Sequence, residues 1–149
     1  MKLEEEIKQK RFSSEYEKLN VNILFTGNRI NLVNTKNLKP YSLTLQQYNV
    51  LRILRGQYPN PATVNLLIER MLDKSSNASR IVDKLLAKGF LTRKICKKDR
   101  RSVDVIITEK GLNLLKKIDG YQTEWHRKLN TLNREEAKKL NFLLDKLRG

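Results

Sequence analysis

Eight cations, Lys84, Lys88, Arg93, Lys94, Lys97, Lys98, Arg100 and Arg101, fall within the eighteen positions 84–101, where Asp99 is the single acid. Long, charged side chains at this density neutralise phosphate oxygens. An arginine adds a planar fork that can donate two parallel hydrogen bonds to guanine O6 and N7. Just upstream stand Ser76, Asn77, Ser79 and Arg80. Short Ser and Asn side chains can cap a helix there, or let backbone N–H groups approach a phosphate. The chemistry on offer is recognition of a polyanion. The net charge of +15, from 31 Lys plus Arg against 16 Asp plus Glu, agrees with it. A charge this large repels itself in the compact state, and attraction to nucleic acid is its simplest use.

Other chemistry is poorly supplied. Cys96 and His126 are the only residues of their kinds, thirty positions apart, and His126 has only Glu124 at ligand spacing. That is poor material for a metal site or a catalytic dyad. No phosphate-cradling glycine loop, nucleophile elbow or zinc-binding HExxH pattern occurs, so neither a cofactor nor an enzymatic activity is expected. A lone cysteine excludes an intramolecular disulfide framework. Lys94, Lys97 and Lys98 favour its thiolate, whereas the lack of a resolving partner suits a small apolar residue at a strand end. No apolar run reaches the roughly 18 residues a membrane span needs, and MKLEEEIKQKR holds no hydrophobic signal core. A cytoplasmic address is expected.

The elements that must position these groups follow from apolar spacing. The length of 149 residues suits one domain with a real core. Tyr16, Leu19, Ile23, Phe25, Ile30 and Leu32 predict a long helix over about 14–36, and Pro40 and Ser42 a break. Thr44 and Gln47 form a capping signature for a second helix that ends before Gly56. Thr63 caps a third, with Val64, Leu67, Ile68, Met71 and Leu72 inward. Ala78, Ile81, Val82, Leu85 and Leu86 make one stripe of a fourth, closed by Gly89. Residues 90–96 and 102–107 are β-rich, with KKDRR as the hairpin tip. Thr108 caps a long helix carrying Leu112, Leu115, Ile118, Trp125 and Leu129, with Gly120 a candidate bend. Asn133 and Glu136 open the last helix, striped by Ala137, Leu140, Leu143, Leu144 and Leu147. Helix, strand, charged tip, strand, helix is the order of a winged helix-turn-helix. The first helix and the last two lie outside that core with large apolar residues, which suits pairing with a second copy.

The segment SRIVDKLLAKGFLTRKICKKDRRSVDVIITEKG, Ser79 to Gly111, resembles the MarR family of bacterial and archaeal transcription regulators. The family's Leu-x-x-x-Gly, Asp-x-Arg and Thr-x-x-Gly patterns stand here as Leu85 to Gly89, Asp99 to Arg101 and Thr108 to Gly111. LTLQQYNVLRIL at Leu43 to Leu54 is similar to its second helix, and LNREEAKKLNFLLDKL at Leu132 to Leu147 to its final dimerisation helix. The resemblance implies a mainly α fold with a small β-hairpin wing: a winged helix-turn-helix with N- and C-terminal dimerisation helices. One domain would fill 1–149, with the DNA-binding lobe over about 40–109 and the dimerisation region over about 12–38 and 110–149.

It also implies a homodimer on double-stranded DNA, usually a repressor, often released by a small ligand or an oxidant. The recognition helix at about 76–88 would enter the major groove and the wing at about 96–102 would lie at the minor groove. Ser79 and Arg80 would face base edges, Arg101 would enter the minor groove, and Asp99 would brace it unless it makes an Asx-turn. Ser76, Asn77, Lys84, Lys97, Lys98 and Arg100 complete the expected DNA-binding set, largely as backbone contacts. A candidate effector pocket would draw on Tyr16, Tyr48, Tyr121 and Trp125. Oxidant-sensing relatives carry their cysteine near the start of the chain, where this sequence has none. Two alternatives stay open: a non-specific architectural DNA coat, and a winged-helix module docking an acidic protein.

Overall fold

The computed structural model describes residues 2–95, 103–127 and 131–149, with backbone alone for 95 and 121–127. It is mainly α with one small antiparallel sheet, as expected: α1 Leu3–Glu6, α2 Glu15–Leu38, α3 Leu45–Gln57, β1 Ala62–Thr63, α4 Val64–Arg70, α5 Ala78–Ala87, β2 Leu91–Ile95, β3 Val103–Ile107, α6 Glu109–Arg127 and α7 Arg134–Arg148. Two compact units divide at Leu45/Gln46.

In the first unit Ser14 caps α2 by accepting from the Glu17 amide at 3.1 Å. The Glu17 carboxylate in turn takes the Ser13 amide and hydroxyl, at 2.5 and 2.7 Å, which holds its pKa below the usual value. The short α1, absent from the sequence reading, is pinned to α2 by Lys18–Glu4 at 2.6 Å and Arg29–Glu6 at 3.1 Å. The expected break is a 3-10 turn at Lys39–Tyr41, closed by Ser42 in the left-handed region. Much of α2's apolar side stays in solvent: Tyr16, Leu24 and Leu32 are all exposed.

In the second unit the sheet order is β1-β3-β2. Leu91 pairs with Ile107 and Ile95 with Val103, while β1 adds Ala62 opposite Val105. The two-residue β1 was not expected. α4 packs on α5 and the sheet, and α5 on β2. Their core holds Val50, Leu51, Leu54, Leu67, Val82, Leu85, Leu91, Val105, Leu115 and Ile118.

Several predicted details are corrected. α3 continues through Gly56 to Gln57. α4 ends at Arg70, so Ile68 and Leu72 do not face inward; Leu72 is 88% exposed in the following turn, while Met71 is buried. α5 begins at Ala78 rather than 76, and Leu86 is 39% exposed at the margin of the stripe. α6 runs unbroken through Gly120.

Thr108 and Gly111 anchor the start of α6. The Thr108 hydroxyl accepts from the Gly111 amide at 3.2 Å and donates to the Gly89 carbonyl at 2.8 Å. A Cβ on Gly111 would lie 2.4 Å from the Phe90 carbonyl oxygen and 2.7 Å from Ile107 Cγ1. Gly111→Ala is therefore expected to lower stability by about 1–3 kcal/mol in urea unfolding. A loss below about 0.5 kcal/mol would mean that the backbone yields there freely.

Candidate nucleic-acid interface

The turn from α4 into α5 is built from polar side chains. Asn49 on α3 accepts the Leu72 amide at 3.0 Å. Lys74 caps the end of α4 through the Ile68 carbonyl at 3.2 Å and the Glu69 carbonyl. Asp73 is the acceptor at the centre. Its carboxylate takes the Ser75 amide at 3.0 Å, the Ser75 hydroxyl at 2.6 Å and the Ser76 hydroxyl at 2.7 Å. The Ser75 and Ser76 hydroxyl bonds lower its pKa to about 2, so it stays ionised across ordinary assay conditions. Asn77 is the N-cap of α5, accepting from the Arg80 amide at 3.0 Å. Of the polar residues expected at the helix start, Asn77 thus caps it and Ser76 braces the turn before it.

From that cap, α5 turns Ala78, Val82 and Leu85 inward and leaves Ser79, Arg80, Asp83 and Lys84 exposed. The buried stripe fixes which way the polar face looks, because residues three and four apart share a side of the helix. Arg80 takes no ion pair with a described residue. Asp83, one turn further on, is engaged by Arg93 of β2 at 3.0 Å. The helix end is held from two sides. Lys88 Nζ donates to the buried Gln47 of α3 at 3.2 Å, and Lys110 Nζ donates to the Lys88 carbonyl at 2.8 Å while lying 5.1 Å from the Phe90 ring centre. Arg55 of α3 grips Asp119 of α6 with bonds of 2.5 and 3.5 Å. α3 therefore ties the recognition-helix candidate to the long helix α6.

Sequence reading singled out none of Asp73, Asn49 and Lys74; it named Gln47 only for the cap of α3 and Arg93 only as one of a run of cations, without their partners Lys88 and Asp83. The only available signal was the run of short polar residues after Leu72. Lys97, Lys98, Asp99, Arg100, Arg101 and Cys96 lie outside the described residues. The strands β2 and β3 lead directly into them, so residues 96–102 join the two strands of one hairpin. Among the proposed pocket residues, Tyr16 is 85% exposed on α2. Tyr48 on α3 is half-buried with the Arg52 guanidinium 5.8 Å from its ring centre. Tyr121 and Trp125 fall on α6, where the backbone alone is described. Among the described residues no three His, Cys, Asp or Glu side chains gather as a metal ion would require. No described helix is long and apolar enough to cross a membrane.

Comparison with known proteins agrees with this geometry. A family model, MarR family, matches residues 43–103. The HTH-type transcriptional regulator BilQ of Clostridium symbiosum is 41% identical over 71 residues, 47% of this chain and 49% of the relative. The chain thus spans about half the length of that curated relative and of a second, YkoM of Bacillus subtilis. A cysteine-to-serine variant of MarR from E. coli, solved with operator DNA, superposes with a TM-score of 0.79 at 23% identity, over 93% of this chain and 99% of that one. BpsR of Bordetella bronchiseptica, whose DNA binding is regulated by 6-hydroxynicotinic acid, superposes at 0.75 with 20% identity, over 89% and all of its chain. Residues 43–103 thus match the MarR family model, and the described chain shares its fold with solved MarR-like transcription regulators.

Proposed function

We propose that this protein binds a pseudopalindromic operator as a homodimer and represses transcription, with α5 in the major groove and residues 96–102 at the minor groove. The observation that carries the reading is Arg80: exposed, without an ion pair to any described residue, on the side of α5 opposite its buried stripe, and flanked by Ser79 and Lys84. An arginine so placed can take guanine O6 and N7 together. Two such helices, one per subunit, would read half-sites about one DNA turn (~34 Å) apart.

Pairing is supported by the exposed apolar side of α7, where Leu140, Leu143 and Leu147 face solvent in the single chain. Arg101 would reach into a narrow A·T-rich minor groove braced by Asp99, with Lys97, Lys98 and Arg100 on the backbone. Release would come from a small-molecule effector of planar or phenolic kind, as small-molecule control of BpsR suggests by analogy. DNA as partner puts the protein's place of work in the cytoplasm.

Capture of sheared host DNA by the purified protein at about 150 mM salt, followed by sequencing, tests this reading. A few enriched fragments sharing an inverted repeat are expected. Uniform enrichment would indicate an architectural coat, and no retained DNA would sink the reading. On a captured fragment, Arg80→Ala is expected to remove about 1–3 kcal/mol of discrimination over random DNA, whereas Lys97→Ala weakens both alike. Equal losses on both DNAs for Arg80→Ala would overturn its role.

A further inference from the structure

We infer that Arg93 is a specificity-determining residue that never needs to touch a base: it holds the Asp83 carboxylate and so keeps Arg80 free to read one. The inference rests on the proposed role of Arg80 and adds the device that preserves it.

The geometry is local. Arg93 Nη1 lies 3.0 Å from Asp83 Oδ1, joining β2 to the exposed side of α5. Residues three and four apart on a helix stand side by side, about 5–6 Å between Cβ atoms. Asp83 has four such neighbours: Ser79, Arg80, Leu86 and Ala87. Arg80 is the one cation among them. Lys84 follows directly and does not share the side of Asp83. On β2 the next cation, Lys94, alternates to the opposite face of the strand.

With Arg93 removed, the nearest partner for Asp83 on its own helix is therefore Arg80. An Arg–carboxylate pair is planar and bidentate, and it occupies the same fork that a guanine would need. Both members of the Arg93–Asp83 pair are substantially exposed, with side chains 48% and 60% accessible. A solvated pair of this kind adds little to stability. Its consequence lies in which arginine the carboxylate occupies. The arrangement also cancels an acid on a helix face meant for a polyanion, while fixing the β2 strand that enters the wing.

The test compares wild type, Arg93→Ala, Asp83→Ala and the double variant on a captured operator and on random DNA at one salt concentration. Arg93→Ala is expected to lower the operator-over-random affinity ratio about tenfold. Asp83→Ala keeps the ratio near that of wild type. The double variant, which lacks the competing carboxylate, regains the ratio to within about threefold, even though one cation fewer lowers affinity for both DNAs. Recovery on losing a second residue is the signature that a phosphate contact or a packing role does not produce.

Arg93→Gln serves as a second variant that keeps side-chain bulk, and binding to random DNA reports whether each variant is folded. Equal losses on both DNAs for Arg93→Ala would assign Arg93 to phosphate and overturn the inference. A ratio lowered in the single and unrecovered in the double would make Arg93 a base contact and overturn it too. A wild-type preference that Arg93→Ala leaves unchanged sinks the inference alone. A wild type with no preference sinks the proposed function first and the inference with it.

Discussion

Replacement of Leu85 by alanine is expected to destabilise the protein by about 2–5 kcal/mol. Leu85 is fully buried on α5, the helix that carries Arg80 on its other side. Truncating it removes apolar contacts and leaves a cavity between α5 and its neighbours α4 and β2, which cannot close without moving the helix. A domain of this size is stable by only about 5–15 kcal/mol, so the loss is a large share of the whole. Leu86 gives the internal control: one residue on and 39% exposed, its truncation should cost less than about 1 kcal/mol. Denaturant unfolding of the two variants measures both. Similar losses would mean that the orientation of α5, and with it the outward aim of Arg80, is wrong.

Leu143→Glu combined with Leu147→Glu is expected to turn the proposed homodimer into a folded monomer and to weaken operator binding by about a hundredfold or more. Both leucines are exposed on α7 in the single chain, Leu143 by 48% and Leu147 by 58%, so glutamate there displaces no core contact. Across a dimer interface the same carboxylates would be buried without partners, which is strongly unfavourable. A monomer holds one recognition helix and loses the gain from engaging two half-sites at once. Light scattering behind a sizing column and a DNA titration read the two consequences separately. A variant that stays dimeric would show that α7 does not form the interface. A monomer that binds the operator as before would show that the two half-sites are not read together.

The parts of this fold that are legible in the sequence are those decided within one or two helical turns. Asn133 and Glu136 form the capping box of α7 because each needs only the other's backbone three residues away, at 3.0 and 2.8 Å. Thr108 and Gly111 are legible for the same reason. The strand β1 is not: two residues, Ala62 and Thr63, carry no period, and their pairing is set by Val105 and Asp104 some forty positions on. Ile68 and Leu72 were misplaced because their spacing continues a helical stripe past Arg70, where the turn organised by Asp73 and Asn49 ends the helix. At the interface, composition and spacing identified Arg80 and Lys84, since a buried stripe dictates its own opposite face. They could not show that Asp83 belongs to Arg93 rather than to Arg80, because a strand ten residues later decides it.

The sheet has two borders, the two-residue β1 and the longer β2, with β3 in the middle, and β2 is the longer edge. Unpaired N–H and C=O groups at such a border invite a second strand, and a smooth apolar edge would be a seed for aggregates. β2 reads Leu-Thr-Arg-Lys-Ile, with Arg93 and Lys94 at its centre. Two adjacent cations repel another copy of themselves across an antiparallel seam and leave the strand able to sit beside a phosphate backbone. The same charges that would suit this hairpin to nucleic acid therefore also keep it from its own kind, so a change made at that edge to alter one property would alter the other.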